Sequence, residues 1–224
     1  MTTSEAQLER MQTSTAEEGG RCRTCGAELA AGARFCSQCG RALAATLAPA
    51  PGDLLTIAFV DLDGFSTFAS VVEAEELREL LRSFHALVRQ QVGRHRGFEV
   101  RQLGDGFMLA FSNPGRAVAC AADIQRVLAI EAGPFLDTVR VCVGLNSGDA
   151  VREGDDFFGH TVNVASRITT RAQGGQVLAS EATRVLAGSV EGVRFTGAGR
   201  RRLRGLAGRH RLYEVVWWDE GAGG

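Results

Sequence analysis

The sequence predicts an α+β fold for its large C-terminal part, and two observations support this prediction. Short, continuous apolar runs recur along the chain, as expected of buried strands. Between them lie segments whose apolar residues repeat at spacings of three and four, as expected of amphipathic helices. Read from Leu54 onward, these segments follow the order β-α-β-β-α-β, which is the ferredoxin-like sandwich unit, with extra strands appended.

The first half of this region contains a strand, a helix, a hairpin and a second helix. The run LLTIAFVDL predicts a central strand. The apolar stripe from Leu77 to Val92 predicts a helix that ends near GRHRG. FEVRQLGDGFMLAF predicts two strands joined by a tight turn at 104–106, and Pro114 marks the first turn of a helix in SNPGRAVACAADIQRVLAIEA.

The second half adds further strands and two shorter helices. TVRVCVGLNSGDAV is interpreted as a strand pair, and HTVNVASRITTRAQ as a helix that stops at Gly174. QVLAS and SEATRVLAG predict a short strand and a short helix, and VRFTGAGRRRLRG and HRLYEVVW predict closing strands.

Composition divides the chain into five parts. Residues 1–20 are polar and are predicted to be disordered. Residues 21–41 form a compact cysteine-containing unit, and residues 42–53 read as a linker of small residues and prolines. The large domain covers 54–218, and a disordered tail is predicted for 219–224.

The bulk composition excludes several classes of protein. Of the 224 residues, 45% are hydrophobic and 23% are charged, which is ordinary for a globular protein. The net charge of −1 provides no overall field that would attract nucleic acid or an anionic membrane. No apolar run approaches the roughly 20 residues that span a bilayer, and the polar N-terminus lacks a secretory signal. We therefore expect a cytoplasmic protein without a membrane partner.

Four cysteines are arranged as two Cys-x-x-Cys pairs, Cys22 with Cys25 and Cys36 with Cys39. Each pair is followed by a glycine, which permits the positive φ that a metal-binding knuckle needs. This pattern predicts a structural Zn²⁺ ion bound by four thiolates, and metal binding would supply the folding energy of so short a unit. A redox-active dithiol pair is the alternative. The sequence does not indicate a partner for this zinc ribbon.

Aspartates lie at the ends of two strands that the predicted fold makes neighbours. Asp61 and Asp63 end the first strand, and Asp105 lies at the tip of the hairpin. Each aspartate alone is compatible with an ordinary turn. Two carboxylates that converge would repel each other unless a cation lies between them, and oxygen ligands favour Mg²⁺ or Mn²⁺.

Five segments in this order resemble the successive motifs of class III nucleotide cyclases. They are FVDLDGFSTFA, RQLGDGFMLAF, GLNSGDAV, DDFFGHTVNVASRI and GRRRLRGLAGRHRLYEV. The resemblance covers about residues 54–216 and implies the cyclase form of the ferredoxin-like fold. It also implies that Asp61 and Asp105, assisted by the Leu62 carbonyl, hold two Mg²⁺ or Mn²⁺ ions per active site. Asn163 would orient the ribose, and Arg167 would stabilise charge on the α-phosphoryl group.

The same resemblance assigns substrate-binding residues, with departures from the family pattern. The family reads the base with a Lys and an Asp, and these positions hold Arg101 and Asp156 here. Asp156 can accept a hydrogen bond from the adenine amino group, so ATP is favoured over GTP. Arg204 stands where the family has a triphosphate-binding Lys. A second family arginine is replaced by Cys142, and Arg140 lies two residues upstream on the same strand face.

The resemblance implies an adenylate cyclase that converts ATP to 3′,5′-cyclic AMP and pyrophosphate. In the family, one protomer supplies the metal ligands and its partner supplies the remaining groups, so a homodimer with two interface sites is expected. Three alternatives stay open: a guanylate cyclase, a catalytically silent nucleotide-sensing domain, and a zinc-ribbon nucleic-acid binder. The zinc ribbon is interpreted as a regulatory or interaction unit.

Overall fold

In a computed structural model of the chain, the described residues are 54–131 and 140–218, with 21, 22, 26–29, 36, 38 and 49. The strands are β1 (Leu54–Asp63), β2 (Phe98–Leu103), β3 (Gly106–Phe111), β4 (Arg140–Asp149), β5 (Val151–Glu153), β6 (Asp156–Phe158), β7 (Val177–Ser180), β8 (Arg194–Arg201) and β9 (His210–Val216). The helices are α1 (Phe65–Ala69), α2 (Ala74–Arg94), α3 (Pro114–Glu131), α4 (His160–Thr169) and α5 (Glu181–Ala187).

Seven strands form one sheet in the order β2-β3-β1-β4-β7-β9-β8, and β5 and β6 form a separate hairpin. β1 is central and pairs antiparallel with both β3 and β4. The pairing of β4 with β7 is parallel, whereas the other pairings in the sheet are antiparallel. The predicted β-α-β-β-α-β unit is confirmed by β1, α2, β2, β3, α3 and β4.

The two faces of the sheet are covered by different helices. Helices α2 and α3 pack on one face, where Val60 and Leu62 of β1 join the main core. Helix α4 packs on the other face, against Leu55 and Ile57. Side chains alternate along a strand, so Asp61 belongs to the face that carries α4.

The interpretation of TVRVCVGLNSGDAV as a strand pair was wrong. β4 continues as one strand from Arg140 to Asp149, and the short β5 that follows pairs with β6. Two polar residues in the middle of this segment, Asn146 and Ser147, are buried inside the sheet. Asn146 donates to the Thr161 carbonyl at 3.1 Å, and the Ser147 hydroxyl lies 2.8 Å from that of Thr56. These contacts satisfy the polar groups without a turn.

The zinc-ribbon segment is described only in part. Cys22 and Cys36 are buried and pack in one small cluster, and Gly26 has the positive φ of 74° expected after the first pair. Cys25 and Cys39 lie outside the described residues. The same holds for the predicted disorder of 1–20 and 219–224 and for all of the linker except Pro49.

Candidate active site

The first candidate group lies where β1 ends beside the β2–β3 turn. β1 and β3 pair as far as Val60 and Phe107, which brings Asp61 opposite Gly106, the residue after Asp105. A Cβ atom at Gly106 would lie 3.0 Å from Asp61 Oδ1 and would clash with the Val60 carbonyl. Only glycine permits this close approach, which carries Asp105 to the end of β1.

The electrostatics of Asp61 fit a cation-binding position. Burial of its carboxyl group raises its pKa, as do the charges of Asp105 and, more weakly, Asp63. The Leu62 N–H donates to Asp61 Oδ1 at 3.2 Å and opposes this rise. A cation between the aspartates would remove the repulsion. Among the described residues, no three His, Cys, Asp or Glu side chains lie together in a way that could hold a metal ion.

Cys142 and Arg140 lie beside this group on β4. Cys142 is directly opposite Asp61, and its thiol donates to the Asp61 carbonyl at 3.6 Å. Burial and the neighbouring aspartates raise the pKa of Cys142 to about 12, so the thiol is neutral. Arg140 is opposite Asp63 and is exposed. Its positively charged side chain is therefore two residues from Cys142 on the same face of β4, as the sequence predicted.

The second candidate group joins Arg101 of β2 with Asp156 of β6. Arg101 Nη1 donates to Asp156 Oδ2 at 2.9 Å. The other carboxylate oxygen accepts the Phe157 N–H at 2.9 Å, and the Phe157 side chain is fully buried. The two residues predicted to read the base are therefore in direct contact within one chain, and the core beneath them fixes the position of Asp156.

The third group lies on the outer face of α4. Asn163 and Arg167 are four residues apart and both exposed, whereas Val162, Ala165 and Ile168 are buried. Glycines at 144 and 148 let α4 lie close to β4. A Cβ at Gly148 would lie 2.7 Å from Thr161 Oγ1, and one at Gly144 would clash with the Thr169 backbone.

Arg204 lies in the turn between β8 and β9, beside α4. The preceding Leu203 is 2% exposed and packs in a cluster with Val164 and Ile168 of the helix. Arg171, just after α4, donates from Nη2 to the Arg202 carbonyl at 2.9 Å. These two contacts hold the Arg204 turn against the helix that carries Asn163 and Arg167.

A buried network that the sequence did not reveal supports the Asp105 hairpin. Arg89 of α2 donates from Nε and Nη2 to the two Glu99 carboxylate oxygens at 2.8 Å each, and from Nη2 to Gln102 at 2.9 Å. Gln102 in turn donates to the Gly104 carbonyl at 3.2 Å. The only sequence signal was an arginine directly after the apolar pair at 87–88 on the core-facing stripe of α2.

Three groups thus form separately: the aspartate pair, the Arg101–Asp156 pair, and the α4 face with the Arg204 turn. Among the described residues, no hydrogen bond or ion pair joins Asp61 or Asp105 to Asn163 or Arg167. Thr161, at the start of α4, contacts Gly148 and Asp149. This is the end of β4 that pairs with Leu54 and Leu55, whereas Asp61 is near the other end of β1. Asn163, two residues after Thr161, therefore lies towards the Leu54 end of β1, whereas Thr169, at the other end of α4, packs on Gly144, which pairs with Phe59.

Comparison with known families yields two matches along the chain. The family described as "Adenylate and Guanylate cyclase catalytic domain" matches residues 47–217. A zinc-ribbon domain family matches residues 21–43. The described part of the chain contains no helix with the length and apolar character needed to cross a membrane.

Comparison with individual proteins also finds nucleotide cyclases. The chain is 35% identical over 171 residues to the pH-sensitive adenylate cyclase MT1302 of Mycobacterium tuberculosis (strain CDC 1551 / Oshkosh). That alignment covers 75% of this chain and 42% of the relative, so the chain spans less than half of that protein's length.

Solved structures of cyclases are also similar to the chain, as two examples show. The adenylyl cyclase CyaB from P. aeruginosa has a TM-score of 0.68 at 22% identity, covering 73% of this chain and 94% of that one. An adenylate/guanylate cyclase/hydrolase from Silicibacter pomeroyi has a TM-score of 0.65 at 26% identity, covering 73% and 96%.

Proposed function

The chain belongs to the adenylate and guanylate cyclase catalytic domain family and carries an N-terminal zinc ribbon, and on this premise we propose that it is an adenylate cyclase. It would convert ATP to 3′,5′-cyclic AMP and pyrophosphate. The observation that carries the proposal is the pair of aspartates, Asp61 and Asp105, brought together at the ends of neighbouring strands in a chain that also presents Asn163 and Arg167.

The aspartate pair is suited to holding Mg²⁺ or Mn²⁺ ions. When bound, two such ions would lower the pKa of the ribose 3′-hydroxyl and neutralise the triphosphate. Asp61 and Asp105 supply carboxylate oxygens, and Leu62 supplies its carbonyl while its side chain remains buried. Because the Gly106 contact fixes the spacing between the two strand ends, the proposed ligands would be positioned before substrate arrives.

The exposed face of α4 supplies the groups that act on the ribose and the phosphates. Asn163 would hold the ribose so that its 3′-oxygen attacks the α-phosphorus in line with the departing pyrophosphate. Arg167 would stabilise the charge that develops on the α-phosphoryl oxygens. Arg204, and Arg140 on the other chain, would bind the triphosphate through guanidinium–phosphate hydrogen bonds.

ATP is the proposed substrate because of the Arg101–Asp156 pair. A carboxylate accepts hydrogen bonds, so Asp156 can bind the 6-amino group of adenine and would repel the carbonyl oxygen of guanine. Arg101 holds the Asp156 carboxylate in place through the ion pair and offers further donors to ring nitrogens of the base. Guanylate cyclase activity is the first alternative.

A homodimer is proposed because the family resemblance divides these groups between two protomers, and within the described residues of one chain no hydrogen bond or ion pair joins the aspartates to Asn163 or Arg167. Asp61 and Asp105 would face Asn163 and Arg167 of a second copy, which yields two equivalent sites related by a two-fold axis. A cytoplasmic location, where ATP is available, stays a prediction.

The zinc ribbon is proposed to regulate the active site through its linker. Arg152 of β5 donates from Nη1 to the Pro49 carbonyl at 3.0 Å. β5 pairs with β6, which begins at Asp156. The linker therefore contacts, at Pro49, the hairpin that carries a proposed base-reading residue. Zn²⁺ would be held by Cys22, Cys25, Cys36 and Cys39, of which Cys22 and Cys36 are buried together.

One observation favours a catalytically silent nucleotide-sensing domain as the second candidate. Cys142 replaces a family arginine, and its neutral thiol offers no charge to a phosphate.

The test is to incubate the full chain with Mn²⁺ and either ATP or GTP and to identify the product by mass spectrometry. Cyclic AMP from ATP, lost in Asp61→Ala, is the expected result. Asp149→Ala is the matched control, because Asp149 is an exposed aspartate at the opposite end of the β1–β4 pair. Cyclic GMP as the main product would identify GTP as the substrate in place of ATP. Nucleotide binding without any product would favour the catalytically silent nucleotide-sensing domain.

A further inference from the structure

A cavity that none of the three candidate groups uses lies between the turn after α4 and the strands β7, β8 and β9. Its volume is about 380 Å³, within the range of roughly 300–1,000 Å³ typical of small-molecule sites. The floor is apolar and is made by Leu178, Ala198 and Leu212. Leu178 and Leu212 are almost completely buried, so this floor is a fixed part of the core.

Two arginines, Arg171 and Arg201, also line the cavity, and both residues are exposed. Arg171 uses Nη2 to bind the Arg202 carbonyl and keeps its other N–H donors. The Arg201 side chain makes no hydrogen bond or ion pair with any residue that the structure describes. No Asp or Glu is among the described residues that line the cavity, so the two positive charges are not neutralised there.

Two glutamines add further donors. The Gln176 Oε1 atom accepts the Gln173 backbone N–H at 3.2 Å, which ties the turn after α4 together. The Nε2 atom of the Gln176 side-chain amide then has no hydrogen bond to the described residues. The polar rim is therefore dominated by hydrogen-bond donors, which selects for a ligand rich in acceptors.

A β-bulge gives the cavity its shape. The register of β8 against β9 shifts between Gly197 and Gly199, and Gly199 has a φ of 85°. Because of this shift, Ala198 and Arg201 line the same cavity although they are three residues apart. Arg200, in the regular part of the strand, then faces the opposite side of the sheet.

We propose that this cavity binds the phosphate monoester of a small organic molecule. A phosphate monoester carries a charge of about −1.5 to −2 at neutral pH. This charge balances two guanidinium groups better than the single negative charge of a carboxylate ligand would. Its oxygens suit the planar donor fork of arginine. The organic part would cover the apolar floor. The proposal goes beyond the cyclase reaction and does not depend on it.

The test is isothermal titration of the full chain with phenyl phosphate, without nucleotide or added divalent metal. We expect phenyl phosphate to bind about ten-fold or more tightly than benzoate, which has one charge, and than inorganic phosphate or pyrophosphate, which lack an apolar part. Equal binding of benzoate would contradict the charge match, and equal binding of pyrophosphate would contradict the role of the floor.

Variants locate the binding site. Arg201→Gln should weaken phenyl phosphate binding about ten-fold or more, since one charged donor is lost. Arg200→Gln removes the same charge from the other face of β8 and should change affinity less than about two-fold. Arg171→Gln is the second cavity variant, and unchanged melting temperatures would confirm that each variant is folded. If Arg201→Gln binds like the wild type, or if Arg204→Gln loses as much affinity, the proposal is wrong.

Discussion

Arg101 and Asp156, 55 residues apart in the chain, form an ion pair of 2.9 Å that joins β2 to β6. The Arg101 side chain is 44% exposed and that of Asp156 is 28% exposed, so solvent screens the pair and its contribution to folding stability is small. Its importance lies in the position of the Asp156 carboxylate, which the proposed function uses to recognise the base.

Asp156→Ala should lower kcat/KM for ATP by about ten-fold or more, since a hydrogen bond to a charged acceptor contributes about 1.5–3 kcal/mol. The GTP value should fall less, because the repulsion of the guanine carbonyl is also removed. The measurement is the kinetics of both nucleotides. Arg101→Gln combined with Asp156→Ala should cost less than the sum of the single changes, since the residues are in contact. Equal losses for ATP and GTP would contradict the base-reading role.

Asp61→Asn should stabilise the metal-free protein. Because the folded-state pKa of Asp61 is raised, its ionisation opposes folding as pH rises through that pKa, and at neutral pH the charge destabilises the fold. Solvent screening limits the gain to less than about 1 kcal/mol, or about 2–4 °C in a domain of this size.

The measurement is the melting temperature of the wild type and of Asp61→Asn with and without Mn²⁺. Mn²⁺ should raise the melting temperature of the wild type and have little effect on Asp61→Asn. The Asp149→Asn control should respond to Mn²⁺ as the wild type does. If Mn²⁺ stabilises Asp61→Asn as strongly as it stabilises the wild type, Asp61 is not a metal ligand.

Mixing two inactive variants should restore activity if the sites lie between two copies. In the proposed dimer, Asp61 and Asn163 of one chain belong to different sites, so a mixed dimer of Asp61→Ala and Asn163→Ala has one intact site and one doubly altered site. Random pairing makes half of the dimers mixed, and activity should reach about a quarter of the wild-type value. The same recovery of activity is expected when Arg167→Ala is mixed with Asp61→Ala in place of Asn163→Ala. Failure of every mixture, with dimers present by light scattering, would exclude shared sites.

Removing residues 1–50 should change the turnover number or the ATP/GTP ratio, because Arg152 loses its Pro49 partner beside the Asp156 hairpin. Arg152→Gln in the full chain should reproduce part of the effect. Arg116→Gln, on the exposed side of α3, is the control. Unchanged dimerisation and unchanged rates after the deletion would remove the proposed role of the zinc ribbon.

His85 should make the fold sensitive to acid. Its Nε2 atom has no hydrogen-bond partner among the described residues, and burial together with the Arg89 charge lowers its pKa from 6.5 to about 4. Its contribution to stability is therefore complete above pH 6.5 and is lost as pH falls towards 4, with about 2 kcal/mol lost by pH 5. Denaturant unfolding at pH 7 and pH 5 should show a smaller loss in His85→Gln than in the wild type. An equal loss would assign the acid sensitivity to other groups.

The sequence predicted most of the fold because its periodic segments are long and agree with each other. It misjudged β4, since Asn146, Ser147 and Gly148 resemble a turn locally. Only the tertiary structure shows that the polar groups are paired and that the glycine makes room for Thr161. Local patterns cannot show which distant partner a residue will meet.

For the candidate site, the resemblance supplied the residues, and their roles stay predictions. The structure adds the contact of Arg101 with Asp156 and the packing of Gly106 on Asp61. The Arg89 network and the Arg152–Pro49 bond could not be predicted, because an arginine reveals its partner only when the chain has folded.

The β2–β3 hairpin carries both Arg101 and Asp105, and in the proposed dimer these residues serve different sites. A nucleotide that displaces Arg101 would pull on the same short hairpin that positions the metal ligand of the opposite site. Binding at the two sites would then be thermodynamically linked, each changing the affinity of the other by the same factor. The reaction rate would then depart from a hyperbolic dependence on ATP concentration. The cause would lie in the two six-residue strands, β2 and β3, and the turn that joins them.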